Sequence, residues 1–160
     1  MRLSDRGYRI PCSTEDKIPE VVFEIETEFR DEHGDPVYVA SALFGKSVHP
    51  CKCVPSSGAP CRIPWGGEEH VHHGRYDVLP ITDDMEWVPA SGGVNPDGRM
   101  PVEGGHEGGG RLYHAYAEID GIKIPGKSGR HLGGANIGHD RREIIVRNSY
   151  FVLCWKQVKG

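Results

Sequence analysis

Two stretches of the chain alternate apolar and other side chains with a period of two. The inner-face residues of the first stretch are Tyr38, Ala40, Ala42 and Phe44. Those of the second stretch are Tyr113, Ala115, Ala117 and Ile119. Because successive side chains of a β-strand point to opposite faces, each stretch predicts a half-buried strand. The alanines in the middle indicate that another layer packs closely against this face.

The two stretches belong to an internal repeat. Residues 37–52 align with residues 112–127 at an offset of 75 without a gap, and 5 of these 16 positions are identical. Ordinary amino-acid usage would give roughly one identity. Farther along the chain the offset falls to 74, and the matched pairs are Glu69 with Glu143, Tyr76 with Tyr150, Val78 with Val152 and Leu79 with Leu153. The repeat predicts two packed copies of one β unit.

The repeat also sets the expected organisation of the chain. Residues 1–19 are predicted to be an irregular N-terminal segment, residues 20–82 the first repeat and residues 83–160 the second. Turn-forming residues dominate the connection over residues 83–111. At 160 residues, both repeats are expected to pack as one globular unit.

The remaining patterns favour further strands over helices. Residues 20–29 alternate apolar and acidic side chains, which predicts a strand, and residues 139–159 predict a strand, a turn near Asn148 and a second strand. The 22 Gly and 12 Pro residues argue against long helices. The predicted class is all-β with little or no helix. The three tryptophans are expected in the core or at its rim rather than on a stacking surface.

Charge and composition exclude several classes of partner. With 19 basic and 23 acidic residues the net charge is −4, so the chain lacks the basic surface that nucleic-acid binding requires. No apolar run is long enough to span a membrane. The charged N-terminus lacks the apolar core of a signal peptide, which predicts a cytoplasmic protein and leaves release without a leader open. Five cysteines, an odd number, exclude a complete disulfide framework.

One motif matches a nucleotide-binding loop in letters only. Residues 121–128 fit the G-x-x-x-x-G-K-S pattern. The phosphate-binding mechanism needs consecutive backbone N–H groups followed by a helix N-terminus. Pro125 has no N–H to donate, and the glycine-rich residues that follow cannot form a stable helix. No nucleotide cofactor is therefore expected.

Metal and catalytic motifs are weak as well. Cys51, Cys53, Cys61 and the histidines of residues 70–73 are zinc-ligand types, but the Cys-x-Cys spacing is too tight and the second copy has no matching cysteine. The chain has neither a Gly-x-Ser-x-Gly elbow nor a His-Glu-x-x-His motif. We expect no metal, no cofactor and no enzymatic activity.

The repeated Pro-x-Lys tract is the strongest candidate for chemistry. Its lysines, Lys52 and Lys127, are predicted just beyond the ends of their strands, and acidic residues precede each strand: Asp31 and Glu32 in the first copy, Glu107 in the second. One interpretation is a surface lysine that covers the sheet edge. The other is a ligand-binding ammonium beside a carboxylate, an arrangement that can bind adjacent sugar hydroxyls.

Several spaced motifs resemble the DM-nine repeat family, which includes natterin-like proteins and small tandem-repeat lectins. In the first copy these are Tyr-Val-Ala-Ser-Ala, His-Pro-Cys-Lys-Cys, Pro-Trp-Gly-Gly-Glu-Glu-His and Tyr-Asp-Val-Leu. In the second they are Trp-x-x-Ala-Ser-Gly, Leu-Tyr-His-Ala-Tyr-Ala, Ile-Pro-Gly-Lys and Tyr-Phe-Val-Leu. The resemblance covers about residues 20–155. It implies two intertwined antiparallel β units, Greek-key or β-prism-like, related by a pseudo-twofold axis.

The resemblance also implies a function and a site. Some members of the family recognise mannose-type glycans, often as dimers, and pair an acidic residue with the lysine of Pro-x-Lys. The matching residues here are Glu107 with Lys127 and, in the first copy, Lys52 with Asp31 or Glu32. The leading hypothesis is a homodimeric, calcium-independent, mannose-type lectin of microbial recognition. The alternative is an intracellular protein-interaction module, or a module associated with natterin-like membrane damage.

Overall fold

The computed structural model describes residues 6–157, which form 15 β-strands and two short 3-10 helices. The strands of the first repeat are β1 (Ile10–Ser13), β2 (Phe29–Arg30), β3 (Pro36–Phe44), β4 (Ser47–Cys53), β5 (Cys61–Trp65), β6 (Glu68–Val71) and β7 (Arg75–Val78). Those of the second repeat are β8 (Met85–Ala90), β9 (Met100–Pro101), β10 (Glu103–Glu107), β11 (Gly110–Ile119), β12 (Ile122–Gly129), β13 (Gly134–His139), β14 (Arg142–Val146) and β15 (Tyr150–Trp155). The 3-10 helices are Glu20–Glu24 and Arg130–Leu132.

The strand order of the sheet is symmetric, because strands at equal distances from its two ends are counterparts in the two repeats. The hydrogen-bonded order is β1-β7-β3-β4-β5-β6-β14-β13-β12-β11-β15-β8. Each strand of the first half has a counterpart at the mirrored position, so that β4 corresponds to β12 and β5 to β13. The prediction of an all-β fold built from two pseudo-twofold-related units is confirmed.

The pseudo-twofold axis passes between β6 and β14. There Glu68 pairs with Arg142, and these two positions are also related by the repeat offset of 74. On either side, the backbone N–H of Glu69 donates to the Arg141 carbonyl at 3.1 Å, and the N–H of Glu143 donates to the Gly67 carbonyl at 3.0 Å. The two hydrogen bonds are equivalent under the repeat. The units are also intertwined, because β10 of the second repeat pairs with β4 of the first.

Three apolar clusters form the core. One lies within the first repeat and includes Ala40 and Ala42, and another lies within the second and includes Ala115 and Ala117. The third joins the repeats through residues such as Val39. The central strands are therefore buried on both faces, and the prediction of half-buried strands was wrong. A second layer from the other repeat covers the face that the alternation assigned to solvent.

The predicted strand over residues 20–29 was also wrong. Residues Glu20–Glu24 form a 3-10 helix after Pro19, and only Phe29 at the end of the stretch enters a strand. Local hydrogen bonds satisfy the backbone: the N–H of Val22 donates to the Pro19 carbonyl at 3.0 Å, and the N–H of Ile25 donates to the Val22 carbonyl at 3.2 Å. Alternation alone does not make a strand where no neighbouring strand supplies hydrogen bonds.

Two further predictions concern the ends of the chain. The segment 1–19 was predicted to be irregular, yet Ile10–Ser13 forms β1 and pairs with β7. The predicted strand, turn and strand over residues 139–159 are present as β14 and β15, with Ser149 in a left-handed turn conformation at φ 62°. Residues 1–5 and 158–160, which belong to the predicted terminal segments, lie outside the described residues. The boundaries at 20–82 and 83–160 stay predictions.

Between residues 6 and 157, no helix has the length and apolar character needed to cross a bilayer.

Candidate functional site

The repeat places the two lysines at equivalent points of equivalent strands. Lys52 lies in β4 opposite Arg62 of β5, and Lys127 lies in β12 opposite Asn136 of β13. The sequence suggested that the prolines of the Pro-x-Lys tracts end their strands. In the structure, both prolines lie inside β4 and β12. Both lysines are therefore held by regular strand geometry.

Lys52 forms an ion pair within the first repeat and a hydrogen bond to the second repeat. Its Nζ lies 2.9 Å from Oε2 of Glu69 and donates a hydrogen bond to the Gly138 carbonyl of the second repeat at 2.8 Å. The side chains are 12% and 4% exposed. Although Glu69 Oε2 is within ion-pairing distance of the ammonium, it accepts no well-directed hydrogen bond. Because this oxygen is enclosed beside the ammonium, the ion pair holds the Glu69 carboxylate in place at the cleft.

The ion pair lies in a polar cavity of about 400 Å³ that we call the Lys52 cleft. The first repeat supplies Glu32, Lys52, Arg62 and Glu69, and the second supplies Asp120, Ile122, His139, Asp140 and Arg141. The cleft is therefore built by both repeats together. It combines cationic and anionic groups on rigid strands and hairpin tips, which suits a neutral ligand with many hydroxyl groups.

The hairpin tips that border the cleft hold non-glycine residues in the left-handed region. Asp120, Asp140 and Arg141 have φ values of 53°, 51° and 65°. Such conformations cost free energy for residues other than glycine, and they concentrate at functional sites. Nε2 of His139 lies 3.2 Å from Oδ2 of Asp120, which links the two tips. The strained tips thus present several polar side chains at one cavity.

Asp31 and Glu32 do not pair with Lys52 as the sequence predicted. Oδ1 of Asp31 accepts hydrogen bonds from the backbone N–H groups of His33 at 2.9 Å and Asp35 at 2.8 Å, so Asp31 stabilises its own turn. Glu32 lines the Lys52 cleft and also an adjoining cavity of about 280 Å³. The partner of Lys52 is Glu69, which sequence reasoning missed. The alignment of Glu69 with Glu143 in the repeat was the signal that could have identified it.

Lys127 is enclosed, in contrast to Lys52. It is 1% exposed, and its Nζ lies 3.0 Å from Nδ1 of His49. Burial lowers the pKa of Lys127 from its ordinary value, although the charges of Glu107 and Glu143 oppose the shift. Among residues 6–157, no carboxylate lies within 4 Å of this ammonium group.

His49 accepts the hydrogen bond from Lys127 as a neutral ring. Burial, and then the charge of Lys127, lowers the pKa of His49 to about 4. With Nδ1 accepting, the proton is assigned to Nε2, which donates to Oγ of Ser47 at 2.8 Å. The counterpart of His49 in the second copy is Ile124, which offers no such acceptor.

Glu107 is near Lys127 but bonds elsewhere. Its Oε2 lies 3.0 Å from Nε2 of His131, and its side chain is 22% exposed. Burial acts to raise the pKa of Glu107, but the His131 hydrogen bond and the Lys127 charge outweigh it and hold the pKa below its ordinary value. The predicted Glu107–Lys127 pair is therefore an electrostatic interaction at longer range and not a direct contact.

The second site keeps the framework of the first with fewer charges. Glu143, the counterpart of Glu69, accepts hydrogen bonds from Asn136 Nδ2 and from the backbone N–H of Gly67, both at 3.1 Å. Asn136 stands where the first site has Arg62. Its Oδ1 is buried and has no hydrogen-bond partner in the described part of the chain.

The motifs set aside in the sequence have structural explanations. Residues 122–129 form β12, so the Gly-Lys-Ser pattern lies in a strand instead of a loop that leads into a helix. The five cysteines are buried as free thiols, with Sγ atoms of Cys51 and Cys61 3.8 Å apart. Burial raises the pKa of the Cys154 thiol to about 11. Within residues 6–157, no group of three or more His, Cys, Asp or Glu side chains is arranged to hold a metal ion.

Comparison with known proteins supplies a family and a fold. The family model of the DM9 repeat matches residues 31–146. No curated protein matches the chain. Among solved structures, the chain is similar to the nematode sperm cell motility protein MFP2B, with a TM-score of 0.68 at 21% sequence identity. The match covers 95% of this chain and 46% of MFP2B, so the chain spans less than half of that protein.

Proposed function

This chain belongs to the DM9 repeat family, and from that premise we propose that it is a carbohydrate-binding protein without catalytic activity of its own. The observation that carries the proposal is the Lys52–Glu69 pair, both of whose residues line the Lys52 cleft. An ammonium group donates hydrogen bonds and a carboxylate accepts them. Adjacent sugar hydroxyls can satisfy both, since each hydroxyl is a donor and an acceptor.

The other side chains that line the cleft support this assignment. Glu32 and Asp120 offer further acceptors at the cleft, and Arg62 offers donors. We assign mannose-type glycans as the ligand class because of the family resemblance, and binding is proposed to be independent of calcium.

Lys127 with Glu107 is the second candidate site. Because Lys127 is 1% exposed, a sugar would reach its ammonium only after local rearrangement, which includes the Glu107–His131 pair. The Lys52 cleft needs no such opening. We therefore place the principal site at Lys52 and rank the Lys127 site below it.

Association with a second copy is part of the proposal. A shallow polar site binds one sugar weakly, on the order of 1 mM or about −4 kcal/mol. A homodimer would present at least two Lys52 clefts, and avidity would then raise the retention on a surface coated with glycans. The surfaces of microbes, which are coated with glycans, would be such a target.

Retention on mannose resin with chelator present tests the proposal. The double variant Lys52→Met with Glu69→Gln removes both charges together, so that no unpaired charge is buried. We expect it to lose retention while Lys46→Met, a change of an exposed lysine at a hairpin tip, retains it. Circular dichroism and a thermal melt check that each variant is folded.

Two results would overturn the assignment. If the double variant is retained as well as the parent protein, the Lys52 cleft is not the site. If the folded parent protein binds no sugar on a glycan array, carbohydrate binding itself is wrong, and the protein-interaction alternative is then favoured.

A further inference from the structure

An exposed aromatic cluster lies at the hairpin tips of the first repeat. Trp65 ends β5 with 44% of its surface exposed. Its ring centroid is 5.7 Å from that of Phe44 and 5.5 Å from that of His70, and the Phe44 and His70 centroids are 6.3 Å apart. We call these three residues the Trp65 shelf. His70 Nε2 also lies 2.8 Å from the Trp65 carbonyl, which holds the shelf together.

The shelf occupies the position that corresponds to the rim of the Lys52 cleft. Trp65 is the counterpart of His139 at the repeat offset of 74. Its neighbours Gly66 and Gly67 are the counterparts of Asp140 and Arg141, and the φ values of 63° and 86° show that both tips have the same left-handed turn. Where the rim of the Lys52 cleft has polar and charged side chains, the first repeat has an aromatic ring followed by two glycines.

The space beside the shelf is open. A Cβ atom placed on Gly45, Gly66 or Gly67 would meet no atom within 4 Å. Gly45 is the counterpart of Asp120, which borders the Lys52 cleft. The tips that carry polar side chains in the second repeat lack them in the first, which leaves room for a ligand beside the Trp65 ring.

Polar groups of the second site lie behind the shelf. The Phe44 ring packs against the His49 ring with centroids 5.9 Å apart, and His49 contacts Lys127. On the other side, the backbone N–H of Gly67 donates to Glu143, which also accepts from Asn136. Oδ1 of Asn136 is also buried and has no hydrogen-bond partner among the described residues. Buried polar side chains of the second site therefore support the shelf from behind.

We propose that the Trp65 shelf is a second carbohydrate subsite, which stacks against the apolar face of a pyranose ring and acts independently of the Lys52 cleft. The inference rests on the proposed function, because it takes the same ligand class. One face of a pyranose carries mainly C–H groups, and aromatic rings with a few polar neighbours are the usual surface for such a ligand. The two halves of the chain would then recognise sugars by different chemistry, one by charge and one by stacking.

Intrinsic tryptophan emission measures occupancy of the shelf directly. The probe is methyl α-mannopyranoside, titrated into the full chain while the emission is recorded. Trp65 is exposed, whereas Trp155 is 7% exposed and the half-buried Trp87 packs against Phe29 and Tyr116, so a sugar that stacks on the shelf should change the emission of Trp65. The variant Trp65→Leu keeps apolar bulk but removes the ring, and we expect it to lose the emission change and to lower affinity at this subsite at least tenfold.

The cleft variant separates this inference from the proposed function. The double variant Lys52→Met with Glu69→Gln should keep the Trp65-dependent emission change while it loses the other binding event seen by calorimetry. If Trp65→Leu keeps the full emission change, or if the cleft variant abolishes it, the independent subsite is wrong. In either case retention that depends on Lys52 would still support the proposed function. If Trp65→Leu removes all binding and the cleft variant removes none, the Lys52 assignment fails and the shelf stands.

Discussion

The two lysine sites have the same backbone and opposite environments. Lys52 pairs with a carboxylate beside an open cleft, whereas Lys127 is enclosed and donates to the neutral ring of His49. The strand positions, the cations and the acids Glu69 and Glu143 are all equivalent under the repeat. The difference arises from the residues around them: Arg62 against Asn136, and Ile124 against His49. Duplication preserved the framework, and the surrounding side chains decide which copy is open to a ligand.

The largest expected difference is in the stability lost when either lysine is replaced by methionine. Lys52→Met leaves the carboxylate of Glu69, 4% exposed, with only the more distant Arg62 guanidinium at 3.8 Å as a countercharge, and should lower the free energy of unfolding by about 3 kcal/mol. Lys127→Met removes a buried charge and leaves only the neutral acceptor of His49 unsatisfied, so it should cost about 1–3 kcal/mol at most. Denaturation with urea measures both values.

A matched control tests whether the remaining Glu69 charge causes the loss of stability. The addition of Glu69→Gln to Lys52→Met should recover most of the lost stability, because it removes the unpaired charge. Equal losses for Lys52→Met and Lys127→Met would mean that the two environments do not differ as described.

Acid should destabilise the fold through His49 at the second site. His49 has a pKa of about 4 in the folded protein and about 6.5 when unfolded, so above pH 6.5 it is neutral in both states. As the pH falls below 6.5, the unfolded chain takes up a proton that the folded chain does not, and stability is lost until about pH 4. The loss attributable to His49 is about 3 kcal/mol.

The measurement is the free energy of unfolding from pH 7 to pH 4. Burial also lowers the pKa of His114 and His72, so the parent protein will lose stability through these groups as well. The variant His49→Gln should therefore show a shallower loss than the parent protein over this range. Identical slopes would contradict the assignment of a neutral, buried His49.

Exchange of the hairpin tips should have a smaller effect. Arg141 has a φ of 65°, whereas its counterpart Gly67 has a φ of 86°. Arg141→Gly should stabilise the fold by about 1 kcal/mol because it relieves left-handed strain, and Gly67→Ala should destabilise it by a similar amount. Thermal melts measure both. If Arg141→Gly raises stability and weakens sugar retention, the strained tip serves binding; if it does neither, the tip has no such role.

The smallest effect is expected when Asp31, which does not contact Lys52, is replaced. Asp31→Ala removes two hydrogen bonds within an exposed turn and should lower stability by about 0.5–1 kcal/mol. Retention on mannose resin should stay within twofold of the parent protein, because Asp31 does not contact Lys52. A complete loss of retention would restore Asp31 as the acidic partner and displace Glu69.

The sequence predicted those features that a local period or the repeat encodes. Alternation around Ala40 and Ala115 identified the central strands, and the repeat offset anticipated the pseudo-twofold arrangement. Alternation could not predict which faces the other repeat covers, since that depends on contacts between distant strands. For the same reason it assigned a strand to Glu20–Glu24, where no partner strand is present.

The site was predicted in part. Lys52 and Lys127 were identified from the repeat, but the acids that precede each core strand, together with the family resemblance, suggested Asp31, Glu32 and Glu107 as their partners. The acid at Lys52 is Glu69, which the β5–β6 hairpin brings back beside β4. The exposure of Trp65 could not be inferred either, because its strand carries buried residues at the two preceding positions of the same face, Cys61 and Ile63.

A crystal structure of the protein soaked with mannose tests the central claim most directly. The account predicts a sugar in the Lys52 cleft, with adjacent hydroxyls within hydrogen-bond distance of Lys52 Nζ and the Glu69 carboxylate, and an unchanged Lys127–His49 contact. A sugar bound to Lys127 with the Lys52 cleft empty would contradict it.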